Sequence, residues 1–291
     1  MQTRVELNST ANKIYMFDEV YPYRAAQEQA EKKKLSAFGI IAKLNPLKRP
    51  RPETVLLAKE ALRFEPMWHI NARREVDYTC ELTYPVPVNN PYAQSIEIDG
   101  KLFEVSRQQN RAKIELQVSE KCHRKIDYTA FIDGLQRDIK PIVLESYINR
   151  YKFTEVAEVC NEDALIPQVP LVSVLQQATA NLHSEAINAH TILFDTLSIE
   201  RAHLFFRPVF AFEYIWTTAD KKGVIEVDGL TGEVIENGEW YKDKINRVLT
   251  REMLFEIGGE VASTLLPGAG IAVKAIDLMS ADKQTSRSLS D

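Results

Sequence analysis

The fold follows from one stretch, LFFRPVFAFEYIW, which occupies residues 204–216. Its even-numbered side chains are almost all large and apolar, whereas the odd positions include Arg207 and Glu213. Alternate side chains of a strand point to the same face of a sheet, so this pattern predicts a strand with one aromatic face. Burying each large side chain on that face contributes roughly 1.5–3 kcal/mol. The face therefore needs a cover, and the amphipathic segment that starts at Leu171 is predicted to supply it.

Two parts of this region have counterparts earlier in the chain. Residues 64–70 read FEPMWHI and residues 206–212 read FRPVFAF. SIEIDG at 95–100 matches VIEVDG at 224–229, in the same order along the chain. Repeated order of this kind is typical of an internal duplication. The sequence therefore predicts an α+β fold of two related antiparallel sheet-plus-helix units, with an N-terminal arm and a C-terminal helical tail.

The predicted boundaries divide the chain into four parts. They are an N-terminal arm or linker (1–52), a first α+β unit (53–151), a second α+β unit (152–240) and a helical tail (241–291). Prolines among the basic residues of 43–51 favour an extended linker there. Residues 126–151 are predicted to be mostly helical. Asp99-Gly100 predicts a tight hairpin turn.

The second unit resembles a known module. Residues 211–214 (AFEY), 223–228 (GVIEVD) and 231–235 (TGEVI) are similar to the second half of a PepSY-type module. The resemblance covers about residues 171–236, and a weaker, degenerate copy lies at about 60–105. It implies a helix that precedes a short antiparallel sheet. It also implies the secreted or membrane-tethered location and the link to peptidase inhibition that are usual in that family.

Bulk composition favours an ordinary soluble protein. Of 291 residues, 45% are hydrophobic and 26% are charged, and the net charge of -5 argues against nucleic acid as the main partner. The three cysteines stand far apart, which predicts buried free thiols rather than disulfides or a zinc site. The first residues have no apolar signal-peptide core, and no uncharged apolar run reaches the roughly 18 residues of a membrane span. A cytoplasmic location is the expectation.

No motif with a catalytic mechanism stands out. The sequence has no glycine-rich phosphate loop, no G-x-S-x-G elbow and no H-E-x-x-H. His183 and His190 lie seven residues apart on the predicted helix, and His203 is a third candidate ligand if a metal is bound. The recurring carboxylates fit turns and solvent-facing strand positions better than acid–base work. They are Glu97, Asp99, Glu226 and Asp228. We therefore predict no catalytic residue, no metal site and no cofactor.

The tail is the strongest interface candidate in the sequence. Its candidate interface residues are Leu265, Leu266, Ile271, Val273 and Ile276, set among glycines. The segment can dock on its own domain, pair with a second protomer or lie on a membrane surface. The leading hypothesis is a non-enzymatic protein-binding or assembly protein, whose partner is another protein or a second copy. The alternatives are an enzyme or metal-binding protein with a site between the two units, and a peripheral membrane protein.

Overall fold

A computed structural model describes residues 4–7, 11–39, 49–108, 111–159, 163–241 and 249–255. Its strands are β1 (Arg4–Leu7), β2 (Asn12–Phe17), β3 (Val55–Pro87), β4 (Ser95–Ile98), β5 (Lys101–Glu104), β6 (Ser106–Gln108), β7 (Arg111–Asp133), β8 (Phe153–Val156), β9 (Glu158–Val159), β10 (Thr191–Trp216), β11 (Lys221–Asp228), β12 (Val234–Gly238) and β13 (Leu249–Thr250). Its helices are α1 (Tyr23–Lys33), α2 (Pro141–Arg150), α3 (Leu171–Ser184) and α4 (Arg251–Phe255). Two short 3₁₀ turns span Lys34–Phe38 and Pro52–Thr54.

Helix and strand are mixed and sheet predominates, so the predicted α+β class is confirmed. One nine-stranded sheet dominates the described part, in the order β12-β11-β10-β3-β7-β6. Strands β1 and β2 also pair with β10, in parallel, and β8 pairs with β2. The N-terminal segment predicted as an arm thus supplies two strands of the main sheet and, in α1, part of its cover.

The predicted strand at 204–216 is confirmed as the second half of β10. Its even-numbered aromatic residues are buried, but helix α3 covers only one end of that face, where Leu204 and Phe206 lie. Helix α1 covers the other end, around Phe210 and Phe212. The odd-numbered face is also buried, because α2 packs against Phe205 and its neighbours. The strand therefore lies between two layers of cover, and the sequence predicted only one.

The two proline-containing stretches pair with each other at the centre of the sheet. Phe206 lies opposite Pro66, Arg207 opposite Glu65, and Pro208 opposite Phe64. Each proline carbonyl accepts a hydrogen bond from a glycine in a following turn, Gly134 at 2.8 Å and Gly229 at 2.9 Å. A Cβ on either glycine would lie 2.7–2.8 Å from the proline oxygen, so no larger residue fits without a backbone shift.

The same two glycines receive matching bonds from the segments that lead into the helices. The amides of Val20 and Tyr21 donate to the Gly229 carbonyl, at 3.2 and 2.7 Å. The amides of Gln168 and Val169 donate to the Gly134 carbonyl, at 2.8 and 3.0 Å. A proline then precedes each helix, Pro22 before α1 and Pro170 before α3. Proline suits this place because the first helical turn leaves its amides unbonded.

Two predictions of where helices lie are wrong. Residues 111–133 form a strand, and helix begins only at Pro141, because side chains from Lys113 onward alternate with a period of two. The helix from Leu171 ends at Ser184 and does not reach His190.

SIEIDG at 95–100 forms part of the separate β4–β5 hairpin, whereas the similar residues 224–229 lie in or beside the buried strand β11. The predicted hairpin turn is confirmed, since Asp99 and Gly100 both have positive φ, at 49° and 76°.

The predicted tail lies mostly outside the described residues. Residues 249–255 form a short strand and helix α4, and Phe255 packs edge-on against Trp68 with 5.7 Å between ring centroids. None of the helices that the structure describes combines the length and the apolar character that crossing a bilayer demands.

Candidate functional site

Two features of the described residues stand out as candidates for function: a buried charge cluster at the centre of the sheet and a two-stranded ribbon at its end. The charge cluster lies on the odd-numbered face of β3 and β10. It consists of Arg63, Glu65, Asp133, Arg137, Arg207, Glu226 and Asp228. All but Arg137 are at most 4% exposed, so each charge has lost nearly all its water and needs a partner.

Glu65 lies at the middle of the charge cluster and contacts three arginines. Its Oε1 is 2.7 Å from Arg63 Nη2, and its Oε2 is 2.6 Å from both Arg137 Nη2 and Arg207 Nη2. Burial alone would raise the pKa of Glu65, but Arg207, Arg63 and Arg137 outweigh burial and lower it to about 2. The carboxylate is therefore held ionised at any ordinary pH.

Two aspartates fix the turns that flank this centre. Asp133 Oδ2 accepts the amides of Leu135 and Arg137, at 3.1 and 3.0 Å. Asp228 Oδ1 accepts the amides of Leu230 and Thr231, at 2.8 and 2.9 Å. Asp133 is also paired with the Arg137 guanidinium and Asp228 with that of Arg207. Each turn is thus held through its side chain to the charge cluster.

The charge cluster also anchors the chain that follows β12. Arg63 Nη2 is 2.6 Å from Glu226 Oε1, which accepts the Glu239 amide at 2.8 Å. Arg63 Nη1 donates to the Glu239 carbonyl at 2.7 Å, and its guanidinium stacks 4.8 Å from the Tyr241 ring. On the other side, Tyr147 donates to Asp228 at 2.8 Å, and burial raises the pKa of this phenol.

The charge cluster has the properties of a buried network of ion pairs that stabilises the fold. A general acid needs a pKa near the working pH, whereas Glu65 is kept far below it. Burial would lower the pKa of Arg137, but Glu65 and Asp133 raise it. Among the described residues, the carboxylates of the charge cluster all face arginines, so the arrangement stabilises the pairing of β3 with β10.

Two histidines lie further along the same face. His69 and His203 are opposite each other on β3 and β10, with 6.0 Å between ring centroids, and His69 stacks on Phe131 at 4.5 Å. Burial, His69, Arg201 and Lys13 together lower the pKa of His203 to about 4. Burial and Arg201 likewise lower the pKa of His69. Both imidazoles are therefore neutral near pH 7.

The structure places the three histidines considered as candidate metal ligands in separate elements. His183 lies in the last turn of α3, while His190 lies beyond the helix, where its Nδ1 accepts the Glu81 amide at 3.1 Å. His203 is on β10. No group of three or more His, Cys, Asp or Glu residues within the described ranges could hold a metal ion.

The other candidate residues are dispersed. Glu97 and Asp99 lie on the exposed β4–β5 hairpin, whereas Glu226 and Asp228 belong to the charge cluster. The cysteines at 80 and 122 are free but only half-buried, which corrects the prediction of buried thiols. The candidate interface residues Leu265, Leu266, Ile271, Val273 and Ile276 lie outside the described residues, as do Lys43 and Lys48 of the basic linker.

The second feature is the ribbon, which we define as residues 80–87 of β3 and 113–120 of β7. Strand β10 stops pairing with β3 at Thr79, and the β3/β7 ladder continues alone to Pro87 opposite Lys113. One face of the ribbon is mostly apolar. It carries Leu82, Tyr84 and Val86 on β3, which are 37–45% exposed, and Ile114, Leu116 and Val118 on β7. The opposite face carries polar residues and two prolines.

The two edges of the ribbon differ. Because the His190 amide bonds to the Thr79 carbonyl, odd-numbered residues of β3 direct their backbone groups towards the β10 side. On that edge the Glu81 amide already donates a hydrogen bond to His190 Nδ1, and Pro85 and Pro87 have no amide hydrogen to donate. This edge is therefore blocked against a further strand.

Within the described residues, the outer edge of β7 has no partner strand along most of its length. Strand β6 covers it only as far as Lys113, and no other described strand pairs with it. Beyond that point the outward backbone groups belong to odd-numbered residues, from Glu115 towards Asp133, without a proline or a bulge. An unpaired edge of this length is a template for strand addition.

Sequence reasoning missed the charge cluster. It predicts strands at 75–88 and 113–118, which the structure confirms, but it missed their pairing into the ribbon. The available signal for the charge cluster was the presence of Arg63, Glu65 and Arg207 within otherwise apolar strands, but their partners Asp133 and Arg137 lie in a region predicted as helix. The signal for the ribbon was the alternation between Lys113 and Val118.

Comparison of the chain with protein-family models, with curated proteins and with solved structures finds no match.

Proposed function

We propose that the chain is a non-enzymatic assembly protein built from two related units, with the ribbon as its binding element. The first proposed unit comprises α1, β3 and β7, and the second comprises α3, β10 and β11. In this proposal the first unit begins near residue 11 rather than at 53. The PepSY-like character of 171–236 remains part of the proposal, and the order helix, then antiparallel strands β10, β11 and β12 supports it.

The duplication is supported by matched contacts around the central pair Glu65–Arg207. Phe64 and Phe206 each pair in parallel with a segment that precedes a helix. Phe64 pairs with Ala164, ahead of α3, and Phe206 pairs with Met16, ahead of α1. The turns at Gly134 and Gly229 match in sequence, in their aspartates and in the amides they receive. Under this correspondence Trp68 matches Phe210, since both lie opposite the residue before the turn aspartate.

The ribbon is where the two proposed units differ. The β10/β11 ladder turns back after Trp216, whereas the corresponding β3/β7 ladder runs far past Arg74, to Pro87. A two-stranded hairpin alone is at best marginally stable in water. On the apolar face of the ribbon Leu82, Tyr84 and Val86 remain 37–45% exposed, although Ile114 is buried within the chain. The ribbon therefore gains stability when another strand or surface joins it, and this is the observation that carries the assembly proposal.

The partner that we favour is a second copy of the chain, and light scattering after size-exclusion chromatography tests this. In one variant, residues 81–119 are replaced by Asn-Gly, which closes a two-residue hairpin between Cys80 and Glu120. We expect the full chain to run above 33.2 kDa and the shortened chain to run as a monomer. Their unfolding temperatures should agree at concentrations low enough to dissociate the full-length dimer. Equal association of both proteins would overturn the proposal.

A pair of neighbouring substitutions provides a matched control. Val118 lies on the apolar face of the ribbon and Gln117 on the polar face, so Val118→Glu and Gln117→Glu add the same charge on opposite sides. We expect Val118→Glu to weaken association, because it buries a carboxylate beside the partner, and Gln117→Glu to leave it nearly unchanged. The reverse order would contradict a role for the apolar face.

A further inference from the structure

The open edge of β7 has a charge pattern that is complementary to itself. Its outward residues beyond the stretch covered by β6 are Glu115, Gln117, Ser119, Lys121, His123 and Lys125, and all their side chains are exposed. Consider a second copy of this strand that runs antiparallel to the first, with the two-fold axis at Glu120. Two residues then lie opposite each other when their numbers add up to 240. Glu115 of each copy lies opposite Lys125 of the other, and Lys121 of each copy lies opposite Ser119 of the other.

Neighbouring registers lose this complementarity. An axis at Lys121 sets that lysine against its own copy and Glu115 against Asp127. An axis at Ser119 removes the match between Glu115 and Lys125 and brings Lys125 to the level of Lys113. Like charges directly opposite each other on adjacent strands are unfavourable and opposite charges favourable. Of these three registers, only the axis at Glu120 is free of like-charge pairs on the polar face.

On the apolar face the same register brings one favourable and one unfavourable contact. With the axis at Glu120, Val118 faces Cys122 of the second copy, whereas the two Glu120 side chains face each other. The two ribbons then form one four-stranded sheet, which removes the weakness of an isolated two-stranded hairpin. Among the described residues of the other edge, His190, Pro85 and Pro87 block equivalent pairing, so strand addition is directed to β7.

We infer that two copies of this chain join through antiparallel pairing of their β7 edges, over residues 115–125, with the two-fold axis at Glu120. This inference rests on the proposed assembly function and specifies its partner. The two Glu120 side chains meet at the axis on the apolar face, where each contacts Tyr84 of its own chain. Their mutual repulsion opposes association, so the dimer is weaker at neutral pH than the strand pairing alone would make it.

Charge reversal at the edge tests the register by sedimentation equilibrium. Lys125→Glu sets two pairs of glutamates opposite each other and is expected to weaken dimerisation about tenfold or more. It also removes the 2.9 Å contact between Lys125 and Glu75 of the same chain, so rescue by a second substitution on the partner side is the decisive measurement. The control Lys121→Glu adds the same charge opposite Ser119 and is expected to change the dissociation constant less than about threefold. Adding Glu115→Lys to Lys125→Glu re-creates both opposite-charge pairs and should restore the affinity.

A second variant acts in the opposite direction. Glu120→Gln removes the repulsion at the axis and should tighten the dimer several-fold, an effect that a generally destabilised ribbon does not produce.

The outcomes separate this inference from the assembly proposal. If the full chain dimerises, the ribbon-shortened chain does not, and Lys125→Glu behaves like Lys121→Glu, the register is wrong and the assembly function stands. If the full chain is a monomer at high micromolar concentration, both are overturned. Weakening by Lys125→Glu together with rescue by Glu115→Lys supports the inference, because those residues lie far apart on one strand and meet only across two copies.

Discussion

Replacement of Glu65 by glutamine should destabilise the protein strongly. The substitution replaces the carboxylate by a neutral amide and leaves the side-chain volume almost unchanged. Glu65 is fully buried and contacts Arg63, Arg137 and Arg207 at 2.6–2.7 Å. Its pKa is lowered from 4.5 to about 2 in the folded protein, which corresponds to about 3 kcal/mol of stability at neutral pH. Removal of one partner from a buried ion pair typically costs about 3–5 kcal/mol.

The two magnitudes agree and translate into a measurable shift. For a chain of this size each kcal/mol moves the unfolding temperature by about 2–3 °C, so Glu65→Gln should lower it by roughly 6–15 °C. Differential scanning calorimetry at pH 7 measures the shift. The control is Glu200→Gln, since Glu200 is exposed and lies 3.2 Å from Arg73, an arrangement worth at most about 1 kcal/mol. Equal unfolding temperatures for the two variants would refute the view that the charge cluster holds the sheet together.

The pH dependence of the same variant provides a sign test. A carboxyl whose pKa is depressed in the folded state stabilises the protein above its unfolded pKa and ceases to do so as pH falls towards the folded pKa. The difference in stability between wild type and Glu65→Gln should therefore be full above about pH 4.5 and shrink as pH falls towards about 2.

Three further changes have defined outcomes. Gly134→Ala and Gly229→Ala should each cost about 1–3 kcal/mol in urea unfolding, because a Cβ at either position meets a proline carbonyl, and a cost at only one would weaken the proposed correspondence of the turns. In wild type, His203 stays neutral in the folded state but is protonated in the unfolded chain between pH 6.5 and about 4, so the folded state loses stability as pH falls through this range. His203→Gln should reduce this loss, and an unchanged pH profile would contradict the argument. Arg74→Lys should cost about 1–3 kcal/mol in urea unfolding, because Arg74 forms two 2.9 Å bonds to Asp195, and an unchanged midpoint would contradict it.

The sequence predicted elements with strong local patterns. Alternation of aromatic residues at 204–216 indicated the strand, and the spacing from Leu171 indicated the helix that packs on it. Asp99-Gly100 indicated its turn because both residues tolerate positive φ. These signals are local: each depends on residues within one or two turns or pleats of the chain.

The features that remained hidden depend on contacts between distant residues. Glu65 meets Arg207 across 142 positions and Arg137 across 72, and nothing in the local pattern joins them. The turn whose contacts match those of Asp228-Gly229, and which we propose as its counterpart, is Asp133-Gly134. It lies in a stretch predicted as helix, and the similarity to Asp99-Gly100 pointed to a separate hairpin instead. The open edge of β7 is a property of strand order, which periodicity does not determine.

The most direct test of assembly through the ribbon is the mass of the Ser119→Pro variant by sedimentation equilibrium. Ser119 lies opposite Glu81, and its amide faces the outer edge of β7, so proline there preserves the β3/β7 ladder, as Pro85 and Pro87 already do on the facing strand. We expect wild type at twice the single-chain mass of 33.2 kDa and the variant at 33.2 kDa, with equal unfolding temperatures at concentrations low enough to dissociate the dimer. A variant that still dimerises as tightly as wild type would contradict pairing through this edge.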